Sequence, residues 1–311
     1  MTPRRLPSAD ARLLKKKRYF TYPMYKEFKP TGELAPYIDA YWQVTGEGKG
    51  PVAQRIPPDG CIDIIVNLGD DFLADRNGFV MKNETAYLVG TMTRYKETTR
   101  DGNTHLVGIR FKPAAFTHFY QYASLHELTD TTIEFEQMLT PAIGPMMTAW
   151  RGRPAQFSGH MPGHPDHPGH PDHLGQPDHL GYPDHPGYPG HATDLSRYLN
   201  RYFLGRLSTD RQCLFPIIDE INSHRGQISV PALAKKHFIS IRRLERIFKQ
   251  QIGLSPKEFI NFVRYQFALE NIRNDHATKS FLEIAFDSGY YDHAHLANEI
   301  KKYSGMAPSQ L

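Results

Sequence analysis

Residues 162–191 read PGHPDHPGHPDHLGQPDHLGYPDHPGYPGH, a drifting six-residue repeat of the form G-x-P-D-H-x. No other stretch so narrows what the chain can fold into. Proline at this density removes amide donors and fixes φ, and the intervening glycines add backbone freedom. Almost no apolar side chain is present to offset the entropy of ordering. An extended, disordered linker is therefore expected over 151–192. It cuts the 311-residue chain into two regions of ordinary domain size, 20–150 and 193–311, behind a flexible basic tail at 1–19.

The repeat is also rich in histidine. His160, His164, His167, His170, His173, His179, His185 and His191 are half of the chain's 16 histidines. Imidazole binds nickel, copper or zinc. A dedicated site needs a fixed geometry, which this segment does not impose, so the linker reading is preferred. A metal-responsive binding protein is the alternative function. No resident metal or cofactor is expected.

The first region reads as mostly β. The stretches "GCIDIIVNL" (60–68), "AYLVGT" (86–91) and "THLVGIRF" (104–111) are short, apolar and β-branched. Asp75-Arg76-Asn77-Gly78 between "DFLA" and "FVMK" is a hairpin signal, since Asn-Gly suits a type I′ turn. Pro113 suits the first turn of a helix continuing from Ala114 to Tyr120. A second short helix is expected around Ile133–Leu139. Short strands with helical additions point to a small sandwich or barrel.

No enzyme chemistry is legible in that region. It has no G-x-S-x-G, phosphate-binding glycine loop or H-E-x-x-H. Asp59, Asp63 and His105 could be drawn as an acid–base set, but they read better as polar residues of turns and strand edges. The aromatics Tyr19, Phe20, Tyr22, Tyr25, Phe28, Tyr37, Tyr41 and Trp42 fit either a core or the lining of a ligand pocket. The chain is read as a non-enzyme.

Charge separates the two regions. Residues 211–311 hold 14 Lys and Arg against 10 Asp and Glu, and the rest of the chain is balanced, so the net +4 sits wholly in the C-terminal third. Clustered on one helix face, such an excess points to nucleic acid. No run of eighteen apolar residues predicts a membrane span. The N-terminus "MTPRRLPSADARLLKKKRYF" has no apolar stretch of the secretory kind. Cys61 and Cys213 match no disulfide or zinc spacing, so a reduced, cytoplasmic setting is expected.

The stretch "ISIRRLERIFKQQIGLSP" (239–256) shows where that charge goes. On a helix, Ile241, Leu244, Ile247 and Phe248 share one face, and Arg242, Glu245, Arg246 and Lys249 the opposite one. Ser240 is a good N-cap. Upstream, "SVPALAKKHF" predicts a short helix with Leu233 and Ala234 inward. A short helix, a tight turn and a second helix with a cationic outer face is the helix-turn-helix pattern. The pattern recurs 52 residues later, with Leu296, Ile300, Gly305 and Pro308 standing where Leu244, Phe248, Gly253 and Pro256 stood. There Ile284 and Ala285 point inward, Gly289 serves the turn and Asp292 the cap. His293, Ala297, Asn298 and Lys301 lie outward. Between the copies, "SPKEFINFVRYQFALENIRN" spreads Phe259, Phe262, Val263, Phe267 and Leu269 around a long helix, which suits a buried connector.

These residues resemble the DNA-binding domain of the AraC/XylS family of bacterial transcription regulators over 211–311. "RRLERIFKQQIGLSPKEFI" matches that family's first recognition helix and turn. "IAFDSGYYDHAHLANEIKKYSGMAP" matches its second motif, through Ile284, Ala285, Gly289, Tyr290, Asp292, His295, Gly305 and Pro308. Leu296 and Ile300 stand where the family often has phenylalanines, and Asn298 where a longer polar residue is common. The segments "IPPDGCIDIIVNL", "LVGIRFKPAAF" and "LHELTD" resemble a β-rich domain that precedes such DNA-binding domains, over about 25–140.

Together these imply an α+β multidomain chain. A β-rich, cupin-like domain for sensing or dimerisation would precede the linker, and an all-α domain with two helix-turn-helix motifs would follow it. The implied function is sequence-specific control of transcription, as an activator. The implied partners are double-stranded DNA, RNA polymerase, a small-molecule effector and a second copy of the chain. Arg242, Arg243, Glu245, Arg246, Lys249, His293, Ala297, Asn298 and Lys301 form the expected DNA-binding set. Arg242, Glu245 and Arg246 are the best base readers, while Lys249 and Lys301 suit phosphates. Some relatives of this family carry DNA-repair methyltransferase chemistry, which needs reactive or zinc-binding cysteines that Cys61 alone does not supply.

Overall fold

The structure, a computed structural model, describes residues 24–46, 50–136, 192–208, 214–275 and 278–311. The histidine-rich repeat and the basic tail lie outside the described residues.

Ten strands form two antiparallel sheets. They are β1 (Met24–Phe28), β2 (Ile38–Gly46), β3 (Val52–Ile56), β4 (Ile62–Asn67), β5 (Phe72–Leu73), β6 (Val80–Met81), β7 (Thr85–Val89), β8 (Lys96–Arg100), β9 (Thr104–Phe111) and β10 (Thr132–Glu134). The larger sheet runs β1-β2-β9-β4-β7-β10 and the smaller β3-β8-β5-β6. The three apolar stretches legible in sequence are its central strands, with Ile64 opposite Ile109 on one side and Leu88 on the other.

Side-chain alternation explains why those stretches are apolar almost throughout. Ile62, Ile64, Val66, Leu88, Val107 and Ile109 belong to the core on one face of the larger sheet. Trp42, Ile65, Tyr87 and Leu106 pack with Phe72 and Met81 of the smaller sheet on the other. A strand covered on both faces loses the polar half of its pattern. Of the N-terminal aromatics, Phe28, Tyr37 and Tyr41 join the first core and Tyr25 and Trp42 the second, so these five are core residues. Tyr19, Phe20 and Tyr22 lie outside the described residues.

Local structure departs from expectation at three places. Ala114 takes a positive φ of 67°, so the helix expected to Tyr120 shrinks to a 3-10 turn over Phe116–His118. Burial of Phe116, Phe119 and Tyr120 against the sheet dominates over helix propensity there. The helix expected around Ile133–Leu139 does not start there: Thr132–Glu134 form β10, which pairs with β7 and satisfies its outer hydrogen-bonding groups, and residues 137–139 lie outside the described residues. The hairpin β5–β6 forms, but its turn is longer than a type I′ turn. The Asp75 carboxylate accepts from the amides of Asn77 (2.8 Å) and Phe79 (3.0 Å), and within this turn only Gly78 has a positive φ, 89°.

Among the described residues seven helices follow: α1 (Ala192–Leu204), α2 (Phe215–Ser223), α3 (Val230–Lys236), α4 (Ile241–Gln251), α5 (Pro256–Asp275), α6 (Phe281–Asp287) and α7 (His293–Ser304). Residues 193–204 were expected with the C-terminal domain. Instead α1 packs on the β-rich core through Leu195, Leu199 and Phe203, spaced to share one helix face. Asn200 reinforces the docking, its side-chain oxygen accepting from the Tyr41 hydroxyl at 2.9 Å and the Thr31 amide at 3.2 Å. The self-contained helical unit begins at α2. Its core joins Leu233, Leu244, Phe248, Phe259, Ile284, Leu296 and Ile300. Among the described residues no helix is long and apolar enough to cross a membrane.

Gly108 lies opposite Trp42 in the pairing of β9 with β2. A Cβ there would stand 1.9 Å from the indole ring. Gly108→Ala is expected to lower stability by about 1–3 kcal/mol through overpacking. Urea unfolding measures this, and an unchanged midpoint would mean that the indole moves aside at no cost.

Candidate nucleic-acid interface

The second helix of each unit is set by a cap, a turn and an apolar seam. In the first unit Ser229 caps α3, its hydroxyl accepting from the Ala232 amide at 3.3 Å. Leu233 and Ala234 face the core, and the small alanine lets α4 approach. The Ser240 hydroxyl accepts from the Arg243 amide at 3.3 Å and starts α4. Leu244, Ile247 and Phe248 are buried, while Arg242, Arg243, Glu245, Arg246 and Lys249 are all exposed. Ile241, expected inward, is 43% exposed on the first turn of α4.

The second unit repeats the plan with different caps. Ser280 and Glu283 form a reciprocal capping box at α6. Ile284 and Ala285 are fully buried, and Gly289 turns the chain at φ 76°. The Asp292 carboxylate accepts from the His295 amide at 2.7 Å and starts α7. Leu296, Ile300 and Tyr303 face inward. His293, Asn298 and Lys301 are exposed, and Ala297 is half-buried.

The two units are joined by α5. Phe248 of the first meets Phe259 edge-on at 5.9 Å between ring centroids. Tyr303 of the second meets Tyr265 at 4.5 Å and Phe262 at 6.0 Å. The connector is buried on most sides, as the spread of its apolar residues requires.

The outward face of α4 carries four cations and one carboxylate. Among the described residues no ion pair engages Arg242, Arg246 or Lys249, so these charges are available to a ligand. Guanidinium groups there can pair bidentately with guanine edges or clamp phosphates, and the Asn298 amide suits adenine.

Two exposed aromatics were not singled out in sequence. Phe238 is 99% exposed and Tyr291 85% exposed, each just ahead of the N-cap of α4 or α7. Their only sequence signal is an aromatic next to a capping residue at a turn.

The acid–base set does not assemble. Asp63 lies directly opposite Arg110 across β4 and β9, whereas His105, five residues from Arg110, falls on the other face of the sheet. Arg110 Nε approaches Asp59 at 3.0 Å and Asp63 at 3.4 Å, and the Trp42 indole donates to Asp63 at 2.9 Å. Burial pushes the Asp63 carboxyl up to about 6, against the opposing pull of Arg110. His105 instead meets the Gln43 amide at 3.0 Å. This is a half-buried ion pair on the sandwich-facing side of the larger sheet. Among the described residues no three His, Cys, Asp or Glu side chains are placed to hold a metal.

Comparison with known proteins agrees with this geometry. Residues 233–311 match a family described as a helix-turn-helix domain, and residues 26–134 match a domain of unknown function, DUF6597. An uncharacterized HTH-type transcriptional regulator of Haemophilus influenzae is 36% identical over 101 residues, which is 32% of this chain and 33% of that protein. The HTH-type transcriptional activator RhaS of Escherichia fergusonii is 31% identical over 84 residues, covering 27% of this chain and 30% of RhaS. The chain thus spans about a third of the length of these relatives. Among solved structures, ToxT from Vibrio cholerae aligns over 84% of this chain and 96% of its own, with a TM-score of 0.42 and 10% identity. Residues 233–311 are thus similar to the helix-turn-helix domain family, and residues 26–134 to a domain family with no assigned function.

Phe238 has a left-handed backbone, φ 51°, and its side chain is almost wholly in solvent. Gly289 takes the matching place in the second turn. Phe238→Gly is expected to raise stability by about 0.5–1 kcal/mol, since strain is relieved and no packing is lost. A lower thermal midpoint would show that the ring makes contacts not seen here.

Proposed function

We propose that this chain is a transcription regulator that reads double-stranded DNA with α4 and α7 in two adjacent major grooves. The observation that carries the reading is a pair of helix-turn-helix units on one buried connector, each presenting an exposed, capped helix. Successive grooves on one face of a duplex lie roughly 34 Å apart, so one chain with two such helices can address both. Arg242, Glu245 and Arg246 read bases from the first helix. His293 and Asn298 read from the second, with Ala297 contributing apolar contact. Arg243, Lys249 and Lys301 bind phosphates, which makes the affinity salt-dependent. The regulator acts in the cytoplasm and engages RNA polymerase as an activator, in line with the name of its RhaS relatives.

The β-rich unit serves sensing and pairing. It shows no catalytic constellation among the described residues, and a small-molecule effector acting through it would couple a signal to the reading helices. Pairing of two chains raises the effective concentration of the second reading head at a neighbouring site. A homodimer is accordingly expected in sedimentation of the full chain at micromolar concentration. A strict monomer, with and without DNA, would remove pairing from this account.

Arg246 lies at the centre of the exposed face of α4. Arg246→Ala is expected to weaken binding to a selected duplex by about 1–3 kcal/mol and to relax choice at one base pair, with little loss on random DNA. Equal losses on both duplexes, in titrations at matched salt, would leave Arg246 a phosphate contact only.

A further inference from the structure

Both reading helices end on groups held from the β-rich unit. At the end of α4, the Thr91 hydroxyl donates to the Ile252 carbonyl at 2.6 Å. The Thr129 hydroxyl donates to the next carbonyl, that of Gly253, at 2.7 Å, and His126 Nδ1 meets the same oxygen at 2.8 Å. At the end of α7, Arg55 of β3 donates from Nη1 to the Gly305 carbonyl at 3.1 Å. The Tyr95 ring lies so close there that a Cβ on Gly305 would stand 2.6 Å from it. Carbonyls at a helix C-terminus have no partner within the helix, so they are natural handles for donors from outside.

Three features separate this from incidental packing. Gly253 and Gly305 occupy equivalent places in the two units, so the same handle is used twice. The grips come from different sheets, one beside β7 and β10, the other from β3 and the approach to β8. A third contact falls on the connector, where Gly60 lies against Phe262 so closely that a Cβ would stand 2.6 Å from the ring. Three separate points fix one rigid body against another. The exposed outer faces of α4 and α7 are left uncovered.

We infer that the β-rich unit is a splint for the two reading helices: Arg55, Thr91, His126 and Thr129 are positioning residues that set how α4 and α7 are spaced and angled. This rests on the DNA-reading function proposed above. The splint lowers the cost of presenting both helices at once, so it contributes to binding only when both grooves are engaged.

The test uses the full chain and two variants, Thr91→Val/Thr129→Val and Arg55→Gln, which loosen opposite ends. A random duplex library selected with the unmodified chain supplies the DNA probe, and the same duplex with one half scrambled is the control. Each variant is expected to lose about tenfold in affinity on the intact duplex and less than about twofold on the half-scrambled one. Hydrogen exchange without DNA is expected to quicken at 252–256 in the threonine variant and at 304–308 in the arginine variant. Equal losses on both duplexes, no loss, or tighter binding of the intact duplex would each overturn the splint; the last would show that the grips restrain the helices. An unmodified chain that selects no sequence removes the DNA-reading function instead, while hydrogen exchange still reports whether the grips exist.

Discussion

A row of aromatic side chains on α5 joins three bodies, and the rest of the molecule is arranged around it. Phe259 packs against Phe248 of the first helix-turn-helix unit, and Tyr265 and Phe262 against Tyr303 of the second. Phe262 also touches Gly60 of the β-rich unit. Ring pairs of this kind add directionality to area burial, because edge-on and tilted contacts tolerate little rotation. A helix amphipathic in the usual way would present one apolar stripe and could serve one neighbour. The connector serves several, and its apolar residues are accordingly spread around its circumference.

With the apolar seams turned toward α5, the remaining faces of α4 and α7 are polar, and that of α4 is cationic. Side chains such as Arg242 and Arg246 are solvated in the free protein and held by no carboxylate among the described residues. Their charge is balanced only when an anion arrives. The small residues Ala234 and Ala285, buried beneath each turn, let the paired helices approach, and Ser240 and Asp292 fix where the reading helices start.

The β-rich unit solves a different problem. Its larger sheet is covered on one face by α1 and the 3-10 turns Phe116–His118 and Leu125–Leu128, and on the other by the smaller sheet. Both faces therefore need apolar residues, and a polar group between the layers needs a partner. Asp59 and Asp63 flank Arg110 there and the Trp42 indole donates to Asp63, which is why two carboxylates that look suggestive in sequence form a half-buried ion pair. The hydroxyls and imidazole on the rim, by contrast, reach outward to the helical unit.

What the sequence determined by itself is whatever acts over a few residues. Ser240, Asp292 and the Ser280–Glu283 pair cap helices through amides three positions away, and Gly289 meets a local demand for positive φ. Helical spacing sorted Leu244 from Arg246 and Leu296 from Asn298, so the exposed faces of both units were legible, as were the central strands β4, β7 and β9. Only the tertiary structure decided the placement of α1, the collapse of 114–120 to a 3-10 turn and the strand at 132–134. Burial against the larger sheet outweighs local preference in the first two, and pairing with the exposed edge of β7 does so in the third. It alone decided the grips on the reading helices, whose partners are 124 to 250 residues apart in the chain. A threonine hydroxyl aimed at a distant carbonyl leaves no mark on the periodicity around it, since the energy of that contact exists only after both units have folded and met.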